Sequence, residues 1–302
     1  VKALPELARA MGGRMEVLTL WPLSQREIEK RAGNWVDTVY SPSFLPRGSQ
    51  NDAGDTLYQR VVRGGYPEAI SRSDPARRAD WFDSYIRLIL QKEVEDLAMI
   101  ERLAELPALL GLLALRIAGL ANFSELSRSL GLPQTSLKRY VGLLQALFLV
   151  QLLPAWSSRR GKRLVRAAKI HLCDTGMAAR LAGLDPGLAP APDPKWGPLL
   201  ENFVVMEIRK EASSAKARTE LFHFRSHAGP EVDLVLEDSA GRIVGIEIKA
   251  SSSPKPDDLK GLRLLSEVAG SKFLRGLLLY PGREVIPYGS NLHAIPISSL
   301  WD

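Results

Sequence analysis

The stretch PEVDLVLEDSAGRIVGIEIKAS, residues 230 to 251, sets charged side chains at alternating positions of two apolar runs. Strand side chains alternate faces, so Glu231, Asp233 and Glu237 share one side of the first run, and Glu247 and Lys249 share one side of the second. The connection EDSAGR is short enough to make the two runs antiparallel neighbours, which brings Asp233 and Glu247 together. Two carboxylates beside an ammonium suit a hard divalent cation, Mg²⁺ or Mn²⁺, which takes oxygen ligands and keeps positions for water and phosphate. Such an ion acidifies a bound water or stabilises charge on a phosphodiester oxygen, while Lys249 would orient the water or neutralise the phosphate. A solvated sheet face is the other reading, because a chain with 25% charged residues produces Glu-x-Lys often.

A third acid joins this set. In GPLLENFVVMEIRKE the helical period puts Glu201 on the stripe of Val204, Val205 and Ile208, the face expected to pack on the sheet. An acid aimed at a core usually has a partner there. Helix chemistry offers its own explanation, since an acid in the first turns favours the macrodipole and Pro198 suits a helix start.

The composition limits what else the chain can do. A hydrophobic share of 45% in 302 residues is that of a globular protein with two or three domains. Leu106 to Phe123 is the longest apolar stretch, and Pro107 and Arg116 interrupt it too early for a membrane span. Cys173 is the only cysteine, which excludes an internal disulfide and fits a reducing cytoplasm. His171, His223, His227 and His293 show no zinc-ligand spacing. A net charge of +6 is compatible with nucleic acid without requiring it. The chain begins at Val1 without a leader and reads as part of something longer.

Three kinds of pattern position these residues. Residues 1–115 read as helices with breaks: Ser24 and Glu27 form a capping-box pair, Gly64, Gly65 and Pro67 interrupt, and Trp81, Tyr85, Leu88 and Ile89 predict one buried helix face. Residues 116–185 hold a short helix closed by Gly131, a Leu-Pro turn, a helix with Leu137, Val141, Leu144 and Leu147 on one stripe, and two strands around the basic loop SSRRGKR. These are the parts of a winged helix-turn-helix. A Pro/Gly-rich linker, 186–198, precedes an α/β alternation over 199–302. In the winged segment Lys138, Arg139, Arg159, Arg160, Lys162 and Arg163 would neutralise phosphates, while Gln134 and Thr135 would reach base edges. A solvated helix and a winged helix used for domain packing are the alternatives.

Glu201 on a helix, then Asp233, Glu247 and Lys249, resembles the PD-(D/E)XK, or restriction-endonuclease-like, fold, in which these residue types build a metal site. Here EV, rather than proline, precedes the first motif position, with Pro230 just ahead. The segments GGRMEVLTLWPLSQREI, RGGYPEAI, KIHLCDTGMAARLAG, GPLLENFVVMEI and EVDLVLE…IEIKAS, in that order, resemble a family of bacterial and archaeal AAA-superfamily ATPases that ends in such a domain.

The resemblance implies a multidomain fold, α then α/β: a helical ATPase-lid-like region, a winged helix-turn-helix, and a restriction-endonuclease-like domain with a central mixed sheet. It implies a DNA-binding, ATP-binding protein with a Mg²⁺- or Mn²⁺-dependent nuclease-like site at Glu201, Asp233, Glu247 and Lys249, or else the same fold as a non-catalytic module. Asp233 and Glu247 would be the metal ligands. A homo-oligomer is compatible with it, and DNA is the expected partner.

The P-loop of that family, G-x-x-x-x-G-K-[ST], does not occur in this sequence, and AGSKF at 269 to 273 lacks the upstream glycine and the final hydroxyl. ATP therefore belongs to a domain outside this chain, although Arg14 resembles a late ATPase-domain arginine that touches nucleotide. The chain alone is expected to bind ATP only weakly. Calorimetry that returned micromolar affinity would contradict this.

Overall fold

Ser24 accepts a hydrogen bond from the Glu27 N–H and Glu27 accepts one from the Ser24 N–H, and this capping box opens α1 (Gln25–Ile28). The computed structural model describes residues 18–49, 56–95, 105–158, 163, 167–184, 193–226 and 229–302. Asn34 caps α2 (Trp35–Tyr40), and a second capping box, Thr56 with Gln59, opens α3 (Leu57–Arg63). Then come α4 (Pro67–Ile70), the long α5 (Pro75–Glu95) and the apolar α6 (Leu106–Ala114). The last of these buries Leu106, Leu109, Leu110 and Leu113 completely or nearly so. Among the described residues, no helix is long and apolar enough to cross a membrane.

One expectation about α5 is corrected. Phe82, Ile86 and Leu90 carry its buried face, whereas Leu88 is 60% exposed. Trp81 and Tyr85 stack on each other at 5.0 Å beside Tyr66, forming an aromatic flank to that face. Trp81, Tyr85 and Ile89 are partly buried against the core beside that face, and of the expected stripe Leu88 points outward.

Helices α7 (Phe123–Leu130) and α8 (Gln134–Ala146) are separated by the tight turn that Gly131 makes in the left-handed conformation. Strands β1 (Val150–Leu153) and β2 (Lys169–Leu172) follow as an antiparallel pair. Asp174 caps α9 (Thr175–Ala182). The α/β part starts with α10 (Trp196–Ser214), three residues before the expected point, and continues with β3 (Thr219–Arg225), β4 (Glu231–Asp238), β5 (Ile243–Ile248), α11 (Lys260–Ala269), β6 (Phe273–Tyr280), β7 (Ile286–Pro287) and β8 (Leu292–Pro296). The sheet is mixed, in the order β3-β4-β5-β6-β8-β7, with β5-β6 and β6-β8 parallel. Helix α10 packs Phe203 and Val204 into the same core as Leu234, Leu236, Val244 and Ile246. Helix α11 covers the other face with Leu262 and Leu265.

The core around α10 also contains Val61, Leu109, Leu144, Leu153 and Ile170, so the helical region, the hairpin and the sheet share one apolar interior. A buried carboxylate fixes the seam. Asp174 accepts the Met177 N–H at 2.9 Å as a cap and the Gly65 N–H at 2.6 Å from the break after α3. At Gly64, with φ of +74°, an added Cβ would meet Asp174 Oδ2 at 2.7 Å. Gly64→Ala is therefore expected to cost more than about 2 kcal/mol, by strain at positive φ and by displacing that carboxylate. Gly131→Ala, at φ of +65° with open space around it, should cost only about 1 kcal/mol. Urea unfolding of the two variants checks the order.

Candidate functional site

The β4–β5 register pairs Leu234 with Ile246, which makes Asp233 and Glu247 cross-strand neighbours, as the short connection predicts. Neither is solvated: both are 6% exposed, as is Glu237, so the solvated-face reading fails. Alternation tells which side chains share a face but not what covers it. Here α11 comes down so closely that a Cβ on Gly261 would strike the Glu231 carbonyl.

All four expected site residues converge, and the structure adds a fifth. Lys169, from β2, donates to Glu201 Oε1 at 2.7 Å and to Asp233 Oδ1 at 2.9 Å. The other Asp233 oxygen, Oδ2, accepts the Ile248 N–H at 3.0 Å. Lys249 donates to Glu247 Oε1 at 2.9 Å, and Asp258 lies 3.9 Å from the same ammonium. Among the described residues, Glu247 Oε2 is buried without a hydrogen-bond partner.

Lys169 reaches this place because β2 is held on both edges. Leu153 pairs with it on one side, and the backbone around Leu120 bridges it on the other. The Asn202 side chain bonds both the N–H and the carbonyl of Leu172, pinning the strand to α10. Beyond β1, Trp156 donates its N–H to the His223 carbonyl and His223 donates its own to Pro154, so the hairpin docks on the β3 edge.

The charges do not balance if every group ionises. Two ammoniums, Lys169 and Lys249, face three carboxylates, Glu201, Asp233 and Glu247. Desolvation is costly for a lone charge in such surroundings. Burial, then the Asp233 charge, lifts Glu201 well above the ordinary glutamate range and lifts Glu247 to about 8. Lys169 is held charged by Asp233 and Glu201, whose attraction exceeds the opposing effect of its burial.

A divalent cation would have to share or displace partners that these residues already hold. Mg²⁺ demands near-octahedral oxygen coordination, yet Asp233 is engaged at both oxygens and Glu247 at one. Among the described residues, no group of three or more His, Cys, Asp or Glu side chains is arranged to hold a metal ion.

Of the expected nucleic-acid contacts, Gln134, Thr135, Lys138 and Arg139 are exposed on the first turns of α8. Lys138 lies over the Phe123 ring at 5.8 Å and Gln134 donates to Ser124 at 3.2 Å. Arg163 is turned inward instead. It pairs with Glu237 at 2.7 Å and lies over the Phe222 ring at 4.7 Å, with the Trp156 indole N–H on the same carboxylate oxygen at 2.8 Å. A guanidinium over aromatic faces with a buried acid gains more there than in water. Arg14, Arg159, Arg160 and Lys162 lie outside the described residues.

Two family models match this chain. Residues 54–187 match a domain of unknown function, DUF8612, and residues 196–300 match another, DUF4143. The DUF4143 domain begins at the first residue of α10 and takes in the sheet with Glu201, Asp233, Glu247 and Lys249; Lys169 comes from the DUF8612 region. Two uncharacterized proteins, one of Mycobacterium bovis and one of Mycobacterium tuberculosis, are each 30% identical over 272 residues, 90% of this chain. The match spans 59% of the length of each. No solved structure matches the chain.

The raised Glu247 has a consequence for stability. An acid whose pKa is higher in the fold than in the unfolded chain supports the fold while protonated, and that support is lost as pH rises through the folded value. Glu247 thus contributes fully below its ordinary 4.5 and progressively less up to about 8. Glu247→Gln is expected to flatten the fall of stability across that window. Urea unfolding of both proteins at its two ends measures it, and parallel pH dependence would contradict the assignment.

Proposed function

We propose that this chain is the C-terminal portion of an AAA-superfamily ATPase and serves it as a nucleic-acid-binding module, a winged helix-turn-helix fused to a restriction-endonuclease-like domain without turnover. The DUF4143 match supports the first part, since that domain is found in AAA-ATPase-associated proteins. The relatives are longer than the matched region, which leaves length for an ATPase domain carrying the P-loop. ATP would bind there.

The observation that carries the non-catalytic reading is the engagement of Asp233. A metal ion bound there would have to share or displace what Asp233 already holds, the Lys169 ammonium on one oxygen and the Ile248 N–H on the other. Nucleic-acid contact is assigned to α8 because Gln134, Thr135, Lys138 and Arg139 are exposed on its first turns, the part that a recognition helix presents to the duplex. The opposite reading, a Mg²⁺-dependent nuclease, draws on one observation, the partnerless Glu247 Oε2 beside Lys249.

Duplex DNA separates these readings. The chain is expected to bind it with salt-dependent affinity and to leave a supercoiled plasmid intact with either Mg²⁺ or Mn²⁺. Replacing Lys138 and Arg139 by alanine should weaken binding across sequences and lower the slope of log affinity against log salt by about 2, one for each lost phosphate contact. Gln134→Ala should change sequence preference instead. Nicking that Glu247→Gln abolishes would establish the nuclease, and an unchanged salt slope would remove the winged helix from the interface.

A further inference from the structure

The acidic site carries its own cation. We propose that the Lys169 ammonium stands in for the divalent ion that the restriction-endonuclease-like arrangement would otherwise hold, and that it is what keeps that ion out. The inference rests on the non-catalytic reading and supplies its cause.

Several observations converge on this residue. Its Nζ lies within hydrogen-bond distance of carboxylates from two different elements, Glu201 on α10 and Asp233 on β4. Its side chain is 5% exposed, so solvent does not compete for those acceptors. A divalent cation bound through Asp233 would sit within a few ångströms of the ammonium and compete with it for the same oxygen, where repulsion is weakly screened and lowers the ion's affinity. Nor can Lys169 swing out readily, because β2 is hydrogen-bonded along both edges and Ile170 and Leu172 belong to the core that continues into α10 and the sheet. Removing the ammonium would leave Glu201 and Asp233 facing one buried place without their counter-charge, beside Glu247. That is the charge and ligand type a hard cation takes.

Mn²⁺ alone, followed by equilibrium dialysis with the full chain and by thermal unfolding with and without the ion, tests this. Wild type should show no saturable uptake and no shift of its midpoint. Lys169→Met should take up one Mn²⁺ at least about tenfold more tightly than wild type and be stabilised by it, since an ion that binds only the folded state raises the midpoint. Lys169→Arg, which keeps the positive charge, should behave like wild type. If Lys169→Met does not fold, the double variant Lys169→Met/Glu201→Gln, which removes one charge of each sign, should bind the ion through Asp233 and Glu247.

Saturable Mn²⁺ uptake by wild type that Asp233→Asn removes would overturn the proposal, whatever the variants do. Equal indifference to Mn²⁺ in wild type and in a folded Lys169→Met or double variant would overturn it too. Uptake by wild type with the plasmid left intact sinks this inference alone, whereas uptake with nicking sinks the non-catalytic reading as well.

Discussion

A buried ammonium without carboxylates is among the costliest arrangements a protein can hold, and breaking a buried pair from one side typically costs about 3 to 5 kcal/mol. The chain accepts that liability at Lys169. Its two partners lie 32 and 64 residues further along the sequence, on a helix and on a strand. The ion cluster can therefore form only when β2, α10 and β4 have come together, and it is satisfied in one relative placement. Apolar packing would tolerate small slips among these elements; three charged groups at hydrogen-bond distance do not. The common core supplies the driving force and Lys169 fixes the register of the hairpin against the sheet.

Helix α10 repeats this logic along its length. After Glu201 and Asn202, which hold β2, Glu207 accepts the Gln25 N–H at 2.6 Å and Glu211 accepts the Trp35 N–H at 2.8 Å. Both are donors that α1 and α2 leave unsatisfied at their first turns. Lys210 bonds Glu207 at 2.7 Å and the Leu23 carbonyl at 3.1 Å, and Arg26 reaches across to the Leu300 carbonyl at 2.8 Å. A helix that reads as amphipathic, with an ordinary polar face, has that face buried by the N-terminal helices. Its acids serve as external caps for those helices.

Much of this was legible in the sequence. Alternation and a short connection placed Asp233 beside Glu247, the helical period put Glu201 on the inward stripe of α10, and the turn at Gly131 separated the two helices that precede the hairpin. Lys169 was not legible. It stands in AAKIHL, a lone lysine at the start of a four-residue strand, and no local period marks a residue whose partners are supplied by distant elements. Arg163 was misread for a related reason. A run of basic residues signals a phosphate-facing loop only if solvent covers it, and the Trp156, Phe222 and Glu237 pocket that captures one of them is assembled from the far side of the chain. The solvated-face reading of β4 and β5 failed because a strand pattern does not say whether a helix lies over both faces of the sheet.

These placements change what the motif itself means. Glu201, Asp233, Glu247 and Lys249 invite a catalytic reading because their types and order resemble those of a restriction-endonuclease-like site. Each nevertheless has a structural task in this molecule that requires the same chemical group. Glu201 and Asp233 neutralise the ammonium that fixes β2, Asp233 also satisfies the Ile248 N–H at the end of β5, and Lys249, just past that strand, pairs with Glu247 within it. Replacing Glu201, Asp233 or Lys249 by an apolar residue would leave a buried polar partner unmatched, at a cost of about 1 to 3 kcal/mol or more. An intact motif is thus what both a working site and a purely architectural one would retain. What would distinguish them is whether anything besides the Lys169 ammonium occupies the space between Glu201 and Asp233.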